Sequence, residues 1–137
     1  MRRTRDDLVR GWLEKARRDL ATAQSQLKVA EPPADIICFH AQQAAEKYLK
    51  AYLVWRGIEF PRTHALEDLV LLAGAREPAF LPLKDEASVL TPYAVEARYP
   101  EFEVPLFKHA QEAVRIAEKI QAFVLQKLPE ELKSGNR

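Results

Sequence analysis

The stretch ADIICFHAQQAAEKYLKAYLVWRG, residues 34–57, decides the fold of this chain. A proline pair precedes it at positions 32 and 33, and it ends in Gly57, which are the usual signals of a helix start and a helix end. The predicted helix, from residue 34 or 35 to residue 56, is apolar on more than one face, so we expect it to contact several neighbours at the centre of the domain. Its apolar positions are Ile37, Ala41, Ala44, Ala45, Tyr48, Leu49, Tyr52, Leu53 and Trp55.

Helices on either side of this stretch complete the pattern. Apolar residues recur every three or four positions before residue 32 and again between Pro105 and Pro129, and this spacing predicts two more long helices. The first set is Leu8, Trp12, Ala16, Leu20, Ala23 and Leu27, and the last set is Phe107, Ala110, Val114, Ala117, Ile120, Val124 and Leu128. Helices of similar length favour an antiparallel bundle.

The middle of the chain, residues 64–100, is less regular. We predict a short helix near residue 66, a loop at residues 77–83, where two prolines stand, and a helix that breaks at Thr91 and restarts at Pro92. No run has the two-residue period of a strand. The sequence therefore predicts an all-α fold, an up-and-down antiparallel bundle of about four long helices whose third strut is broken near Pro92. We expect a single domain over residues 1–129 and a frayed tail at residues 130–137.

Composition narrows the function classes. Lys and Arg number 21 against 20 Asp and Glu, a net charge of +1, whereas a general nucleic-acid binder is usually far more basic. The one cysteine, Cys38, excludes a disulfide framework and suits a small buried residue, and no two histidines lie at the spacing of a metal site. We therefore predict neither a metal nor a cofactor. No membrane-spanning apolar run and no secretory leader is visible, and the single cysteine suits a reducing compartment.

A polar arc runs along the central helix and consists of Gln42, Gln43, Glu46, Lys47 and Lys50. Glu46 and Lys50, like Gln43 and Lys47, stand four positions apart and are therefore neighbours on a helix surface. The arc has two interpretations. It is either a solvated face with a helpful ion pair, or a polar strip lining a cleft in which Lys47 or Lys50 contacts a phosphate.

Three segments together resemble the HEPN domain family. They are FHAQQAAEKYLKAYL at residues 39–53, followed by Gly57; RTHAL at residues 62–66, with Leu69; and LTPYAVEARYPE at residues 90–101. The resemblance extends over about residues 5–128. It implies a helical bundle of about four long helices, usually a homodimer, in a prokaryotic cytoplasm. Small stand-alone members of this kind often accompany a minimal nucleotidyltransferase, in a two-part nucleotidyltransferase or a toxin–antitoxin pair.

Many HEPN proteins are metal-independent ribonucleases, and their motif is an arginine followed, after four to six residues, by a histidine. In that motif the histidine moves a proton at the ribose 2′-hydroxyl and the arginine stabilises the charged phosphate. Arg98 is the candidate arginine here, but positions 103–105 are Glu103, Val104 and Pro105, and His109 lies too far along the chain. The motif is absent, so we assign no catalytic residue.

The candidate nucleotide-binding residues are Gln43, Lys47, His64, Arg98 and Tyr99. The resemblance places them at the polar cleft of the family, where cations meet phosphates and an aromatic ring faces a base. Structural roles stay open for three of them. In these structural alternatives, His64 caps a helix or satisfies a buried backbone group, Arg98 forms an ion pair with Glu46 or Glu96, and the ring of Tyr99 packs against the protein.

Three functions are compatible with these observations. The first is a non-catalytic HEPN homodimer that binds a nucleotide or substrate and docks on a minimal nucleotidyltransferase. The second is a metal-independent RNase toxin with a diverged site, and the third is a purely structural dimeric scaffold. RNA binding has weak support, from seven basic against three acidic residues among the first 18. The aromatic residues expected in the core or at a dimer face are Trp12, Trp55, Tyr48 and Tyr52.

Overall fold

The computed structural model describes residues 3–133 of the chain, and within that range the regular structure is helical, with no strand. Three helices are long: α1 (Arg5–Gln26), α2 (Ala34–Arg56) and α6 (Phe107–Lys127). The shorter ones are α3 (Leu66–Arg76), a 3-10 helix (Pro78–Leu83), α4 (Lys84–Leu90), α5 (Tyr93–Glu96) and α7 (Glu130–Lys133). The predicted all-α bundle is confirmed, and a series of short helices supplies its remaining strut.

Helix α2 is the central element of the bundle. It packs against both α1 and α6 and also contacts α3, α4 and α5. Tyr48, Leu49, Tyr52 and Leu53 are all buried although they point to different sides of the helix, because neighbours cover α2 almost completely. The helix ends at Gly57, whose φ of 70° is the left-handed conformation that glycine adopts without strain.

The predicted break in the third strut is also confirmed. Helix α4 ends at Leu90 and α5 begins at Tyr93, with Pro92 between them. The break places the hydroxyl of Thr91 at the start of α3, where it accepts a hydrogen bond from the backbone N–H of Leu66 at 3.0 Å. Thr91 therefore supplies from another segment the cap that α3 lacks in its own sequence.

Residues 77–83 differ from the predicted loop, because Pro78–Leu83 is a 3-10 helix. Its Phe80 is fully buried, and the ring centroid lies 4.4 Å from that of Tyr52 on α2 and 4.7 Å from that of Phe123 on α6. Burial of this ring holds a tight local turn in place despite the two prolines. Proline content alone therefore predicts a loop where tertiary packing produces a helix.

The end of the described chain also differs from the predicted frayed tail. Residues Glu130–Lys133 form α7, in which Leu132 is buried. The guanidinium of Arg10 donates a hydrogen bond to the backbone carbonyl of Glu131 at 3.2 Å, which links α7 to α1. One apolar side chain and one backbone contact thus order this turn. Residues 134–137, the rest of the predicted tail, lie outside the described residues.

Most of the apolar residues singled out in the sequence are buried, but Leu8 and Phe107, at the starts of their two sets, are 45% and 43% exposed. Cys38, Tyr48 and Tyr52 are buried, and Trp12 and Trp55 are partly buried against the core. Within residues 3–133, no helix combines the length and the apolar character that a bilayer crossing needs.

Candidate functional site

Three residues of the polar arc of α2 are buried, and the other two, Gln43 and Lys47, are half-buried. Relative exposure is 0% for Gln42, 4% for Glu46 and 8% for Lys50, values that charged and amide side chains rarely show without partners. The carboxylate of Glu46 accepts a hydrogen bond from Lys50 Nζ at 2.7 Å and another from Gln42 Nε2 at 3.1 Å. The predicted Glu46–Lys50 ion pair therefore exists, but within the protein interior.

His64 completes this network from the connection between α2 and α3. Its Nδ1 lies 2.9 Å from Glu46 Oε1, and since a carboxylate only accepts, this nitrogen donates the proton. The backbone carbonyl of His64 accepts a second hydrogen bond from Gln42 Nε2 at 3.1 Å. Both links tie the connection to α2, while Thr63, rather than His64, provides the local turn hydrogen bond to Ala65.

The electrostatics of Glu46 follow from these contacts. Burial opposes ionisation of this carboxyl, but the hydrogen bonds from Lys50, His64 and Gln42 outweigh burial and hold its pKa below the ordinary value of 4.5. Glu46 is therefore a charged group with three donors at neutral pH. Its charge is already compensated inside the protein.

A pocket of about 470 Å³ opens beside this network, a volume within the range of small-molecule sites. Helix α1 contributes Trp12, α2 contributes Lys50, and the α2–α3 connection contributes residues 60–64. The ammonium of Lys50 lies 5.5 Å from the ring centroids of both Trp12 and Phe60. We call this cavity the α1–α2 pocket; its lining residues are Trp12, Lys50, Phe60, Pro61, Arg62, Thr63 and His64.

Arg62 and His64 are the exposed cationic and titratable groups at the rim of the α1–α2 pocket. Arg62 takes part in no ion pair among the described residues. Its guanidinium therefore remains available to a ligand. The pocket combines two aromatic walls, a buried ammonium and a guanidinium that has no ion pair within residues 3–133.

Lys47 and Gln43, two of the predicted site residues, have partners within the protein. Lys47 Nζ forms an ion pair with Asp19 on α1 at 2.6 Å, and the same carboxylate lies 2.9 Å from Nδ1 of His40. Gln43 Nε2 donates to Gln42 Oε1 at 2.7 Å. Lys47 thus joins α1 to α2, and Gln43 extends the buried network.

Arg98 and Tyr99 lie in a different place from His64. They line a separate shallow cavity of about 400 Å³ around the α5–α6 connection. Arg98 Nε donates to the backbone carbonyl of Ala94 at 3.1 Å, and its guanidinium lies 5.4 Å from the ring centroid of Phe39. It forms no ion pair with Glu46 or Glu96, and Tyr99 is exposed rather than packed. Among the cavities lined by residues 3–133, His64 lines the α1–α2 pocket, whereas Arg98 and Tyr99 line this other one.

Sequence reasoning missed Trp12, Phe60, Arg62 and Lys50 as members of one site. It predicts Trp12 in the core or at a dimer face, and it treats Lys50 only as an alternative to Lys47. The usable signal was the Arg62-Thr63-His64 run directly after α2. Sequence spacing cannot show that Trp12 of α1 and Phe60, 48 positions later, line the same pocket. That information comes only from the packing of the helices.

The α5–α6 connection, which contains positions 103–105, is rich in exposed apolar side chains. Val104 is 66% exposed and Leu106 59% exposed. His109, the nearest histidine, accepts a hydrogen bond from the backbone N–H of Leu106 at 3.0 Å through Nδ1 and so caps α6. We call the exposed apolar set the connector patch; it consists of Tyr99, Phe102, Val104, Leu106 and Phe107.

Comparison with known proteins agrees with the fold and the sequence pattern. The family model described as HEPN domain matches residues 9–128, most of the chain. The chain belongs to the HEPN domain family. This HEPN chain is 37% identical to TT1696 from Thermus thermophilus, whose crystal structure superposes with a TM-score of 0.74 over 88% of this chain and 98% of that one.

A second solved structure supports the same assignment. ST0689, described as an archaeal HEPN homologue, is 28% identical, with a TM-score of 0.70 over 93% of this chain and 98% of that one. The search of curated proteins finds no match. Within residues 3–133, no three histidine, cysteine or carboxylate side chains are grouped as metal ligands would be.

Proposed function

We propose that this HEPN chain is a non-catalytic module that forms a homodimer, binds a nucleotide and docks on a minimal nucleotidyltransferase. The partner supplies the metal-binding carboxylates and the transfer chemistry, and the HEPN dimer supplies binding surfaces. The proposal places the protein in a two-part nucleotidyltransferase or a toxin–antitoxin-type system.

One observation carries most of this proposal. At the positions where the ribonucleases of this family carry a histidine, this chain presents an exposed apolar surface, the connector patch. Large exposed apolar side chains close together in sequence are typical of protein–protein contacts. Arg98, the candidate arginine of the motif, bonds to the backbone of Ala94, and His109, the nearest histidine, caps α6. This segment therefore suits an interface better than proton transfer.

The isolated protein is expected to show no metal-independent RNA cleavage. General acid–base catalysis needs a histidine within reach of the ribose hydroxyl, and positions 103–105 offer none. The measurement is incubation of a mixed set of RNAs with purified protein in the presence of a chelator. Arg98→Ala and His109→Ala serve as controls for contaminating nuclease. Cleavage that disappears in both variants would instead support the RNase toxin.

Docking on a nucleotidyltransferase is tested by co-expression. We expect a small nucleotidyltransferase encoded beside this chain to co-purify with it in a fixed ratio, detected by light scattering of the complex. A nucleotidyltransferase from an unrelated system is the matched negative control. If the neighbouring protein elutes separately at micromolar concentrations, the docking part of the proposal is wrong and the self-contained scaffold is favoured.

A further inference from the structure

We propose that the α1–α2 pocket binds a nucleoside monophosphate, with its phosphate on Arg62 and His64 and its base against Trp12 and Phe60. This inference specifies the ligand site of the nucleotide-binding function proposed above and rests on it. It moves the site away from Lys47, Arg98 and Tyr99.

The charge of the pocket favours an anionic ligand. Glu46 is the carboxylate of the network, and its charge is compensated by Lys50, so it adds little repulsion. Lys50 has three N–H donors, of which Glu46 takes one, and Arg62 keeps a whole guanidinium free of ion pairs among the described residues. A guanidinium matches two phosphate oxygens at once, and an imidazole adds a further donor.

The aromatic walls favour a planar group attached to that anion. Trp12 and Phe60 are each partly buried, so part of each ring is still in contact with water. A base that packs against this exposed part removes apolar surface from water. Trp12 also forms one wall of an adjoining cavity of about 300 Å³, which Arg3 and Lys15 line as well. Both cavities that Trp12 lines therefore also contain basic side chains.

Size and net charge point to a single nucleotide rather than a nucleic acid strand. A volume of about 470 Å³ is sufficient for one small ligand. A long polyanion is best bound by a strongly basic face, whereas this chain has a net charge of only +1. RNA binding is therefore an outcome that the experiment must separate from nucleotide binding.

The test is a titration of the ¹⁵N-labelled full chain with AMP, in parallel with inorganic phosphate, adenosine and a short single-stranded RNA. The chain contains two tryptophans, Trp12 and Trp55, so two indole N–H signals report the binding position directly. We expect AMP to shift the Trp12 signal and leave that of Trp55 in place. AMP should bind more tightly than either phosphate or adenosine alone.

The variants separate this inference from the proposed function. Arg62→Ala is expected to weaken AMP binding by about 10- to 100-fold, the effect of losing one charge-assisted hydrogen bond. Arg62 is exposed, so the variant should fold normally. Arg76→Ala removes another exposed arginine, at the end of α3, and Lys47→Ala and Arg98→Ala test the site predicted from the sequence.

Each outcome has a defined meaning. Loss of affinity in Arg62→Ala but not in the other three variants supports the α1–α2 pocket. If AMP binds and only Lys47→Ala or Arg98→Ala weakens it, the pocket inference is wrong while nucleotide binding stands. If the parent protein binds none of the small ligands, nucleotide binding itself is wrong, and if it binds only the RNA strand, the single-nucleotide site is wrong.

Discussion

Glu46→Ala is expected to lower the free energy of unfolding by about 3–5 kcal/mol, the typical cost of removing one partner from a buried ion pair. The side chains of Glu46 and Lys50 are only 6% and 10% exposed, so the variant leaves a lysine ammonium in the interior without its carboxylate. Gln42 and His64 lose the same acceptor. Chemical denaturation of both proteins measures the difference.

A matched variant separates burial from charge. Glu14 also has two basic partners, Arg17 and Arg18, but its ion pairs lie on the exposed surface of α1. Glu14→Ala should therefore lower the free energy of unfolding far less than Glu46→Ala does. A double variant, Glu46→Leu with Lys50→Met, should recover part of the loss because it removes both buried charges together. Equal effects of Glu14→Ala and Glu46→Ala would contradict the network described above.

Acidification gives a second check on Glu46. Its pKa is lowered in the folded protein, so the unfolded chain takes up the proton first as the pH falls. The stabilisation from this carboxylate is therefore complete above its ordinary value of 4.5 and is lost as the pH falls through the lower, folded value. The stability difference between the parent and Glu46→Ala should shrink over that acidic range.

The fold was largely predictable because its main determinants are local. Prolines and glycines mark the ends of the long helices, and the three-to-four spacing of apolar residues sets their buried faces. The break at Pro92 follows from the missing N–H and the ring of proline itself. The 3-10 helix at Pro78–Leu83 was not predictable in this way, because Phe80 is held there by rings from α2 and α6.

The candidate site was less predictable because it depends on contacts between distant segments. Lys47 and Lys50 stand three positions apart on the same helix, and either one suited a phosphate contact from sequence alone. In the folded chain Asp19 of α1 pairs with Lys47, whereas Lys50 lies at the α1–α2 pocket between Trp12 and Phe60. The choice between the two lysines is made by their partners, and spacing within one helix does not contain that information.

The buried network and the pocket have complementary roles in this arrangement. Gln42 and Glu46 hold His64 through its backbone carbonyl and its ring, and His64 lies in the same short connection as Arg62. A polar network that is fully satisfied restricts the positions of its members. Helix α2 therefore fixes the position of the proposed phosphate contacts, Arg62 and His64, although both residues lie in a connection without regular structure.

Replacing residues of the connector patch with aspartate is expected to convert the proposed homodimer to a monomer. Val104 and Leu106 are the most exposed large apolar side chains of the patch, at 66% and 59%. If two copies cover these side chains, Val104→Asp or Leu106→Asp buries an unpaired charge twice, once in each half of a two-fold interface. A loss of about 2 kcal/mol at each of the two copies of the residue makes about 4 kcal/mol for the dimer, so the dimer dissociation constant should rise about 1,000-fold.

Sedimentation or light scattering across a range of protein concentrations measures this change. Leu71→Asp is the matched control, because Leu71 is a large apolar residue on α3 that is 45% exposed and lies outside the patch. The patch variants should keep full helical content, since Val104 and Leu106 are mostly exposed within one chain. We expect the parent and Leu71→Asp to have the mass of a dimer and the patch variants that of a monomer. A parent protein that is monomeric at micromolar concentrations, or dimers that persist in both patch variants, would show that the connector patch does not join two copies and leave it free for the nucleotidyltransferase.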